Sequence, residues 1–86
     1  MNYDILILKS TQKALAKLPQ QDYQRVIDTI NSLASNPRPS GCKKMKGFPT
    51  WRIRVGVYRV IYEISDKKLI ITVVDVGHRK DIYRSY

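Results

Sequence analysis

Residues 51–64 read Trp-Arg-Ile-Arg-Val-Gly-Val-Tyr-Arg-Val-Ile-Tyr-Glu-Ile, and this stretch decides the fold. Its first five residues alternate apolar side chains with Arg52 and Arg54, which is the period-two pattern of a strand with one buried face. A Gly-Val pair at 56–57 interrupts the alternation, and most of the residues after it are β-branched or aromatic. The stretch therefore predicts two strands joined by a tight turn.

The residues that follow predict a third strand. A polar turn at 65–68, Ser-Asp-Lys-Lys, leads into the segment 69–76, which is β-branched and apolar on both faces. Such a continuous apolar run is typical of a central strand that is covered on both sides. We expect the three strands to form an antiparallel meander, and we expect Gly77 to end the last one.

The first part of the chain predicts a strand and a short helix. Residues 3–8 form an apolar run typical of a strand. Apolar residues within 11–18 recur at helical spacing, which predicts a short amphipathic helix that Ser10 or Thr11 caps at its N-terminus. Pro19 should stop this helix, because proline lacks a backbone donor and clashes with the preceding turn.

A second helix should follow almost at once. The apolar residues of 23–34 recur at intervals of three and four, and Asp22 is the expected N-cap. The Asn-Pro-Arg-Pro-Ser-Gly run at 36–41 then breaks the helix. Because few residues join the two helices, we expect an antiparallel helix hairpin that covers one face of the sheet. The predicted fold class is α+β, as one small domain over residues 1–86 in the order strand, helix, helix, strand, strand, strand.

The charge of the chain is strongly positive and unevenly distributed. The 86 residues include 16 Lys or Arg and 7 Asp or Glu, for a formal charge of +9. Residues 1–37 contribute 4 − 3 = +1, whereas residues 38–86 contribute 12 − 4 = +8. The excess positive charge of residues 38–86 predicts a polyanionic partner. The alternative is a solvated basic surface that binds nothing in particular.

The cysteine and histidine content excludes several kinds of site. The single cysteine, Cys42, cannot form an internal disulfide, and together with the single histidine, His78, it cannot supply the four ligands of a structural zinc site. We therefore expect no structural zinc site. No cofactor is expected either, because the sequence contains no Gly-rich phosphate loop and no paired carboxylate site. A reduced compartment, the cytoplasm, suits this cysteine content, and no apolar run reaches the roughly 18 residues of a membrane span.

Arginines should gather on the sheet face that the helices leave open. Arg52 and Arg54 alternate away from the core, and Arg59 lies on the adjacent strand just past the turn. Arg79 follows the end of the last strand, so the prediction brings four guanidinium groups to one surface. Guanidinium binds phosphate oxygens through a bidentate fork and keeps its charge permanently. The alternative is that these arginines are scattered in solvent on an exposed sheet face.

Two segments resemble the signatures of a known superfamily. The stretch 51–64 resembles the central signature of the RelE/ParE superfamily of bacterial and archaeal toxins, and 76–83, Val-Gly-His-Arg-Lys-Asp-Ile-Tyr, resembles its C-terminal signature. The helix hairpin and the Lys-Lys-Met-Lys-Gly run at 43–47 agree in order and spacing, so the resemblance covers essentially the whole chain. The superfamily holds two activities. The RelE branch cleaves messenger RNA on the ribosome, and the ParE branch poisons DNA gyrase.

The resemblance implies a set of catalytic residues. Arg52 and Arg54 match two basic positions, often lysines, of the RelE branch, and Arg59 matches its transition-state arginine. Arg79 matches a second catalytic arginine, and Tyr83 matches a C-terminal tyrosine. This complete set favours the RelE branch, and the alternative is a ParE-like gyrase inhibitor without nuclease activity. Arginine in place of lysine is a departure, because arginine cannot lose its proton and is a poor general base.

The resemblance also implies a metal-independent reaction in the ribosomal A site. The ribose 2′-hydroxyl attacks the adjacent phosphate in line, which leaves a 2′,3′-cyclic phosphate and a 5′-hydroxyl and inhibits translation. Arg59 would stabilise charge on the phosphoryl oxygens, and Arg52 and Arg54 would neutralise and position the flanking phosphates. Arg79 would lie near the leaving oxygen. The base stays open between two residues. Tyr83 has a reference pKa of about 10 that close arginines would lower, and His78 has one of about 6.5 but is equally suited to packing at the strand end.

Further basic residues are expected to contact the RNA or ribosome backbone. They are Lys43, Lys44 and Lys46, expected in a loop, and Lys80 and Arg84 in the C-terminal tail. Tyr58 and Tyr62 share a strand face with apolar neighbours, so we expect them to pack in the core and not to stack on bases.

The resemblance finally implies a protein partner. Toxins of this superfamily are made beside an antitoxin that wraps the toxin and blocks or distorts its active site. A hetero-oligomer of toxin and antitoxin is therefore expected, besides the ribosome and messenger RNA. An acidic or helical segment of the antitoxin, laid over the basic face or the helix hairpin, would suit the charge of +9.

Overall fold

The structure, a computed structural model, describes residues 2–78 of the chain. In this range the elements are, in order, β1 (Asp4–Ile7), α1 (Lys9–Ala16), α2 (Gln20–Ser32), β2 (Lys43–Lys44), β3 (Trp51–Val55), β4 (Tyr58–Ser65) and β5 (Ile70–His78). The predicted α+β order is confirmed, with one very short strand, β2, added before the meander.

The five strands form a single mixed sheet in the order β1-β5-β4-β3-β2. The strands β3, β4 and β5 pair antiparallel as the predicted meander, and β1 lies parallel to β5. The expected end of the last strand at Gly77 is wrong, since Gly77 pairs with Arg59 and β5 continues to His78. A bulge near Ile61 shifts the register between β4 and β5, which lets the long β5 follow the sheet twist.

The short strand β2 corrects a second expectation. Lys43 and Lys44 lie in a strand and not in a loop, because Lys43 pairs with Arg52 and Lys44 pairs with Trp51. The strand is only two residues long. Sequence periodicity needs a longer run to reveal a strand, so the pattern of this segment carried no signal for it.

The turn between β3 and β4 is as tight as the sequence predicts. Val55 pairs with Tyr58, so only Gly56 and Val57 lie between the two strands. Gly56 has a φ of +61°, and a positive φ at the first central residue is that of a type II′ hairpin turn. The turn fixes the register of the hairpin and thereby sets Arg54 directly opposite Arg59.

Both helices begin earlier than the caps that the sequence predicts. Helix α1 already includes Ser10 and Thr11, and α2 holds Asp22 in its first turn, so these expected caps are wrong. The preceding residues are Leu8 and Pro19, and neither of these two makes a side-chain capping hydrogen bond. Thr11, the second of the expected caps of α1, is instead a buried residue within the helix. Within residues 2–78, neither helix is long and apolar enough to span a membrane.

The main core lies between the helix hairpin and one face of the sheet. Tyr62 is fully buried there, and its hydroxyl donates to the Pro37 carbonyl over 2.8 Å. Burial raises the pKa of this hydroxyl above its usual value. The buried members of the core are Leu15, Val26, Ile30, Leu33, Val55, Val60, Tyr62, Ile71, Val73 and Val76. Tyr58 packs against the same cluster, so the expectation that both tyrosines belong to the core is confirmed.

The opposite face of the sheet is only partly covered, as predicted. A second, smaller cluster there joins Met45, which follows β2, to Ile61 of β4, and Val74 of β5 packs against the pair. Both Met45 and Ile61 are buried. This small apolar cluster lies beside the polar part of the face and anchors the segment after β2 to the sheet.

Candidate active site

Four positively charged residues meet on the open face of the sheet. Lys43, Arg52, Arg54 and Arg59 line one cavity of about 140 Å³, which Gly41 completes. We call it the cationic cavity. Its lining contains no acidic side chain among the residues that the structure describes.

The strand register explains why these side chains meet. Lys43 of β2 lies opposite Arg52 of β3, and Arg54 of β3 lies opposite Arg59 of β4. Paired residues on neighbouring strands direct their side chains to the same face, and neighbouring strands lie about 4.8 Å apart. Residues two apart on one strand also share a face, so Arg52 joins the two pairs into one group.

The cavity is suited to an anion. Arginine keeps its charge at any ordinary pH, and three guanidinium groups at adjacent positions repel one another unless an anion lies between them. The Nε atoms of Arg52 and Arg59 are buried, so part of this charge is held away from water. Drug-sized ligand pockets start at about 300 Å³, so the cationic cavity suits a phosphate group and not a whole nucleotide.

The two other lysines of this region lie differently. The Lys44 ammonium donates to the Phe48 carbonyl over 3.0 Å and so closes the turn that follows β2. Lys46 lies in that turn and is exposed. Neither residue lines the cationic cavity, although both lie on the same edge of the sheet.

His78 lies on the helix-covered side of the sheet. It pairs with Tyr58, and the two rings meet edge to face with their centroids 6.3 Å apart. The Tyr58 hydroxyl donates to Asp22 of α2 over 3.0 Å, and this hydrogen bond raises the pKa of the tyrosine. Because Tyr58 and Arg59 are successive residues of β4, their side chains point to opposite faces. His78 is therefore placed away from the cationic cavity, as a packed strand-end histidine.

Four of the predicted site residues lie outside the described residues. They are Arg79, Lys80, Tyr83 and Arg84. The structure thus brings together three of the four arginines that the sequence predicts to converge. It adds Gly41 to the site, a residue that the sequence predicts only as part of the run that breaks the second helix. The φ of +92° at Gly41 is the local feature that turns the chain into β2 beside the cavity.

Comparisons with known proteins agree with this architecture. A family model described as "ParE toxin of type II toxin-antitoxin system, parDE" matches residues 5–83, which is most of the chain. The chain is also similar to a solved structure, the archaeal RelE-RelB complex from Pyrococcus horikoshii OT3. The sequence identity is 31% and the TM-score is 0.84, with 94% of this chain and 99% of that chain covered.

Two curated proteins are similar over nearly their full length. "Toxin RelG" of Mycobacterium tuberculosis strain H37Rv is 30% identical over 88 residues, which covers 98% of this chain and 99% of the relative. "mRNA interferase toxin RelE" of Escherichia coli strain K12 is 25% identical over 83 residues, which covers 93% of this chain and 82% of the relative.

Proposed function

This chain belongs to the ParE toxin family of type II toxin–antitoxin systems, and we propose that it is an endoribonuclease that cleaves messenger RNA in the ribosomal A site. It is a RelE-like toxin, and one relative carries the name mRNA interferase. The observation that carries the proposal is the cationic cavity, in which three arginines and a lysine surround a space suited to one phosphate group. The ribosome as its place of action implies the cytoplasm.

The proposed reaction is attack of a ribose 2′-hydroxyl on the adjacent phosphate. Negative charge builds on the phosphoryl oxygens as the bond to the 2′-oxygen forms, and cations already in place lower the energy of that state. Arg59 stabilises this charge in the proposal, while Arg52 and Arg54 neutralise and position the flanking phosphates. Arg79 assists the leaving 5′-oxygen, and Tyr83 completes the set.

Positioning by the ribosome fits a cavity of this composition. The described lining holds fixed cations and a single lysine, and therefore offers charge more than a paired acid and base. Such a site depends on precise alignment of the 2′-oxygen, the phosphorus and the leaving oxygen, which a bound ribosome supplies. The basic residues Lys44 and Lys46, on the same edge of the sheet, contact the RNA backbone in this proposal.

The protein partner is a cognate antitoxin, as in the RelE-RelB complex to which the chain is similar. We place an acidic or helical segment of the antitoxin over the basic face or the helix hairpin. The formal charge of +9 favours an acidic segment. The resulting hetero-oligomer would keep RNA out of the cationic cavity.

Gyrase inhibition is the second candidate function, and the ParE description of the matching family model favours it. A gyrase inhibitor of this fold would need no chemistry of its own, so the convergent arginines would only bind. The two candidates differ in a simple way. The nuclease cuts RNA and leaves DNA supercoiling unchanged, whereas the inhibitor does the reverse.

The deciding experiment is primer extension on a messenger RNA under translation in a purified cell-free system. We expect wild-type protein to cut with codon phasing, and only when ribosomes are present. Arg59→Ala should lower the cleavage rate by about 10²–10³-fold, because it removes one preorganised charge from the transition state. Lys13→Ala is the matched control, since it removes the same charge from the outer surface of α1.

Two outcomes would contradict the proposal. Wild-type cleavage by Arg59→Ala would remove the assigned role of this residue. Intact messenger RNA in the presence of folded wild-type protein would instead favour gyrase, and loss of supercoiling in a purified gyrase reaction would then establish the second candidate.

A further inference from the structure

Among the described residues that line the cationic cavity, one carries a group that can exchange a proton. Among its described lining residues, the three arginines cannot act as bases, because guanidinium stays protonated throughout the range in which proteins fold. Gly41 contributes only backbone. Lys43 carries a primary amine, which accepts a proton whenever it is neutral. The composition of the cavity therefore singles out Lys43.

The position of Lys43 suits a group that acts on the ribose. It lies opposite Arg52 on the neighbouring strand, so its side chain shares the open face with the arginines. A phosphate bound by Arg52 and its neighbours would hold the attached ribose at the β2 side or the β4 side of the cavity. The long, flexible lysine side chain at the edge strand can follow a 2′-hydroxyl on the β2 side.

The neighbouring lysine shows that this placement is specific. Lys44 is next in sequence, yet its ammonium donates to the Phe48 carbonyl over 3.0 Å and is directed to the turn. Strand alternation separates the two side chains, and only Lys43 lines the cavity. His78, a candidate base from the sequence, lies on the other side of the sheet beside Tyr58.

We propose that Lys43 is the catalytic proton acceptor of the cleavage reaction. The inference rests on the proposed nuclease function and deepens it. Arg52 and Arg54 cannot accept the proton, so the proposal assigns this role to a residue of the edge strand β2. The charged groups that face Lys43 are these two arginines on β3 and Arg59 on β4.

The nearest acidic residue in the same cross-strand row is Asp75. Lys43 pairs with Arg52, Arg52 with Ile61, and Ile61 with Asp75. Three strand spacings separate the two ends of this row, which amounts to roughly 14 Å. The described lining of the cavity itself contains no carboxylate that could compete for the Lys43 amine.

The step balances without a further reactant. The 2′-hydroxyl proton passes to the neutral amine of Lys43, and the electron pair left on the 2′-oxygen forms the new bond to phosphorus. The bond from phosphorus to the 5′-oxygen breaks, and its electron pair stays on the 5′-oxygen, which takes a proton from water. The Lys43 ammonium then returns its proton to solvent.

The test compares Lys43→Arg with wild type in single-turnover cleavage on purified ribosomes programmed with one messenger RNA. Arginine keeps the charge but cannot accept the proton. We expect the cleavage rate to fall by about 10²–10⁴-fold while KM stays near its wild-type value. The pH profile of the wild-type cleavage rate should change in Lys43→Arg, because the substituted side chain cannot take part in the proton transfer. Lys13→Arg on α1 is the matched control and should behave as wild type.

A rescue experiment distinguishes chemistry from structure. Lys43→Gly leaves space in the cavity, and added ethylamine should restore part of its cleavage rate in a pH-dependent way. Ethylamine should have no effect on Arg59→Ala. Thermal unfolding of both Lys43 variants is followed in parallel to establish that they are folded.

Two results would overturn the assignment. One is a Lys43→Arg variant that cleaves at the wild-type rate with the wild-type pH profile. The other is loss of the wild-type pH profile in Tyr83→Phe with its retention in Lys43→Arg, which would make Tyr83 the base. Both leave the nuclease function intact, whereas absence of any cleavage by folded wild-type protein contradicts the function itself.

Discussion

In the pair Arg54 and Arg59, an arrangement that favours the binding of an anion directly opposes the stability of the sheet. They lie directly opposite each other on neighbouring strands, so two positive charges share one cross-strand site. Like charges in this position destabilise a sheet. A sequence under pressure for stability alone would place opposite charges or β-branched residues here, which is the physical reason to assign the pair to a ligand.

Arg54→Gln should stabilise the free protein. The substitution removes one of the two facing charges and keeps a long polar side chain on an exposed position of β3. We expect the free energy of unfolding to rise by roughly 0.2–1 kcal/mol. For a domain of this size each kcal/mol corresponds to about 4–8 °C in Tm, so calorimetry at low ionic strength can detect the change.

The matched control for Arg54→Gln is Lys13→Gln. It removes one charge from the last turn of α1, where a positive charge is favourable. Its Tm should stay equal or fall slightly. An Arg54→Gln variant no more stable than Lys13→Gln would mean that the cross-strand repulsion is already relieved in the free protein.

At the scale of elements, the segment 37–42 determines where β2 lies. The Tyr62 hydroxyl donates a hydrogen bond to the Pro37 carbonyl. The Arg38 guanidinium donates two hydrogen bonds, of 2.9 and 3.3 Å, to Asp66 in the turn before β5. Arg38 also lies over the Trp51 ring, 5.2 Å from its centroid. These contacts fix the chain just before it supplies Gly41 and Lys43 to the cationic cavity.

The Arg38–Asp66 contact predicts a pH dependence of stability. The hydrogen bonds from Arg38 and from the Tyr3 hydroxyl lower the pKa of Asp66 below its usual 3.8. A carboxyl with a depressed pKa stabilises the folded state above its unfolded pKa, and this contribution is lost as the pH falls through the folded value. Asp66→Asn should therefore lower Tm at neutral pH, and the difference from wild type should shrink below about pH 4.

The effect of Asp66→Asn should be small, because the Arg38 and Asp66 side chains are 43% and 58% exposed. Thermal unfolding of both proteins from neutral to strongly acidic pH measures it. Asp75→Asn controls for the loss of a carboxylate without this partner. A Tm difference that stays constant with pH would show that the ionised form of Asp66 contributes nothing.

At the scale of the molecule, packing and charge are separated by the sheet. The helices and the main core occupy one face, and the cationic cavity occupies the other. The excess positive charge is carried by residues 38–86, which form β2 to β5 and continue beyond them. The apolar face can therefore stabilise the fold while the open face keeps a charge arrangement suited to an anionic ligand.

Inorganic phosphate should stabilise the whole protein by binding the cationic cavity. An anion that binds only the folded state raises the free energy of unfolding by about 1.4 kcal/mol at ten times its Kd. We expect Tm to rise with phosphate and to rise less with sodium chloride of equal ionic strength. The double variant Arg52→Gln/Arg54→Gln should lose the difference between the two salts.

The same double variant distinguishes binding of phosphate in the cavity from the general effect of the salt on stability. Phosphate also stabilises proteins by exclusion from their surface, and this component should be equal in wild type and variant. An equal response of the two proteins to phosphate would mean that the cavity does not bind the anion in solution.

Several features of this fold could be predicted from sequence because they depend on local periodicity. The alternation at 51–55 predicted which side of β3 is buried, and the Gly-Val pair predicted the turn. The helix ends were predicted less well. Ser10, Thr11 and Asp22 have side chains suited to N-caps, but all three lie within the helices. There Thr11 is buried, and Asp22 accepts a hydrogen bond from the Tyr58 hydroxyl.

What the sequence determined by itself is the class of fold and the identity of the arginines that lie away from the core, because both are encoded in spacing along the chain. It also carries the two segments whose resemblance to known signatures indicates the family. Only the tertiary structure decided that Lys43 belongs to the cavity and that His78 does not. Lys43 lies opposite Arg52 because β2, a strand of two residues, pairs with β3. His78 shares the sheet face of Tyr58 because β5 pairs with β4. Such placements depend on the pairing of distant strands, and pairing is a property of the folded sheet that no local pattern records.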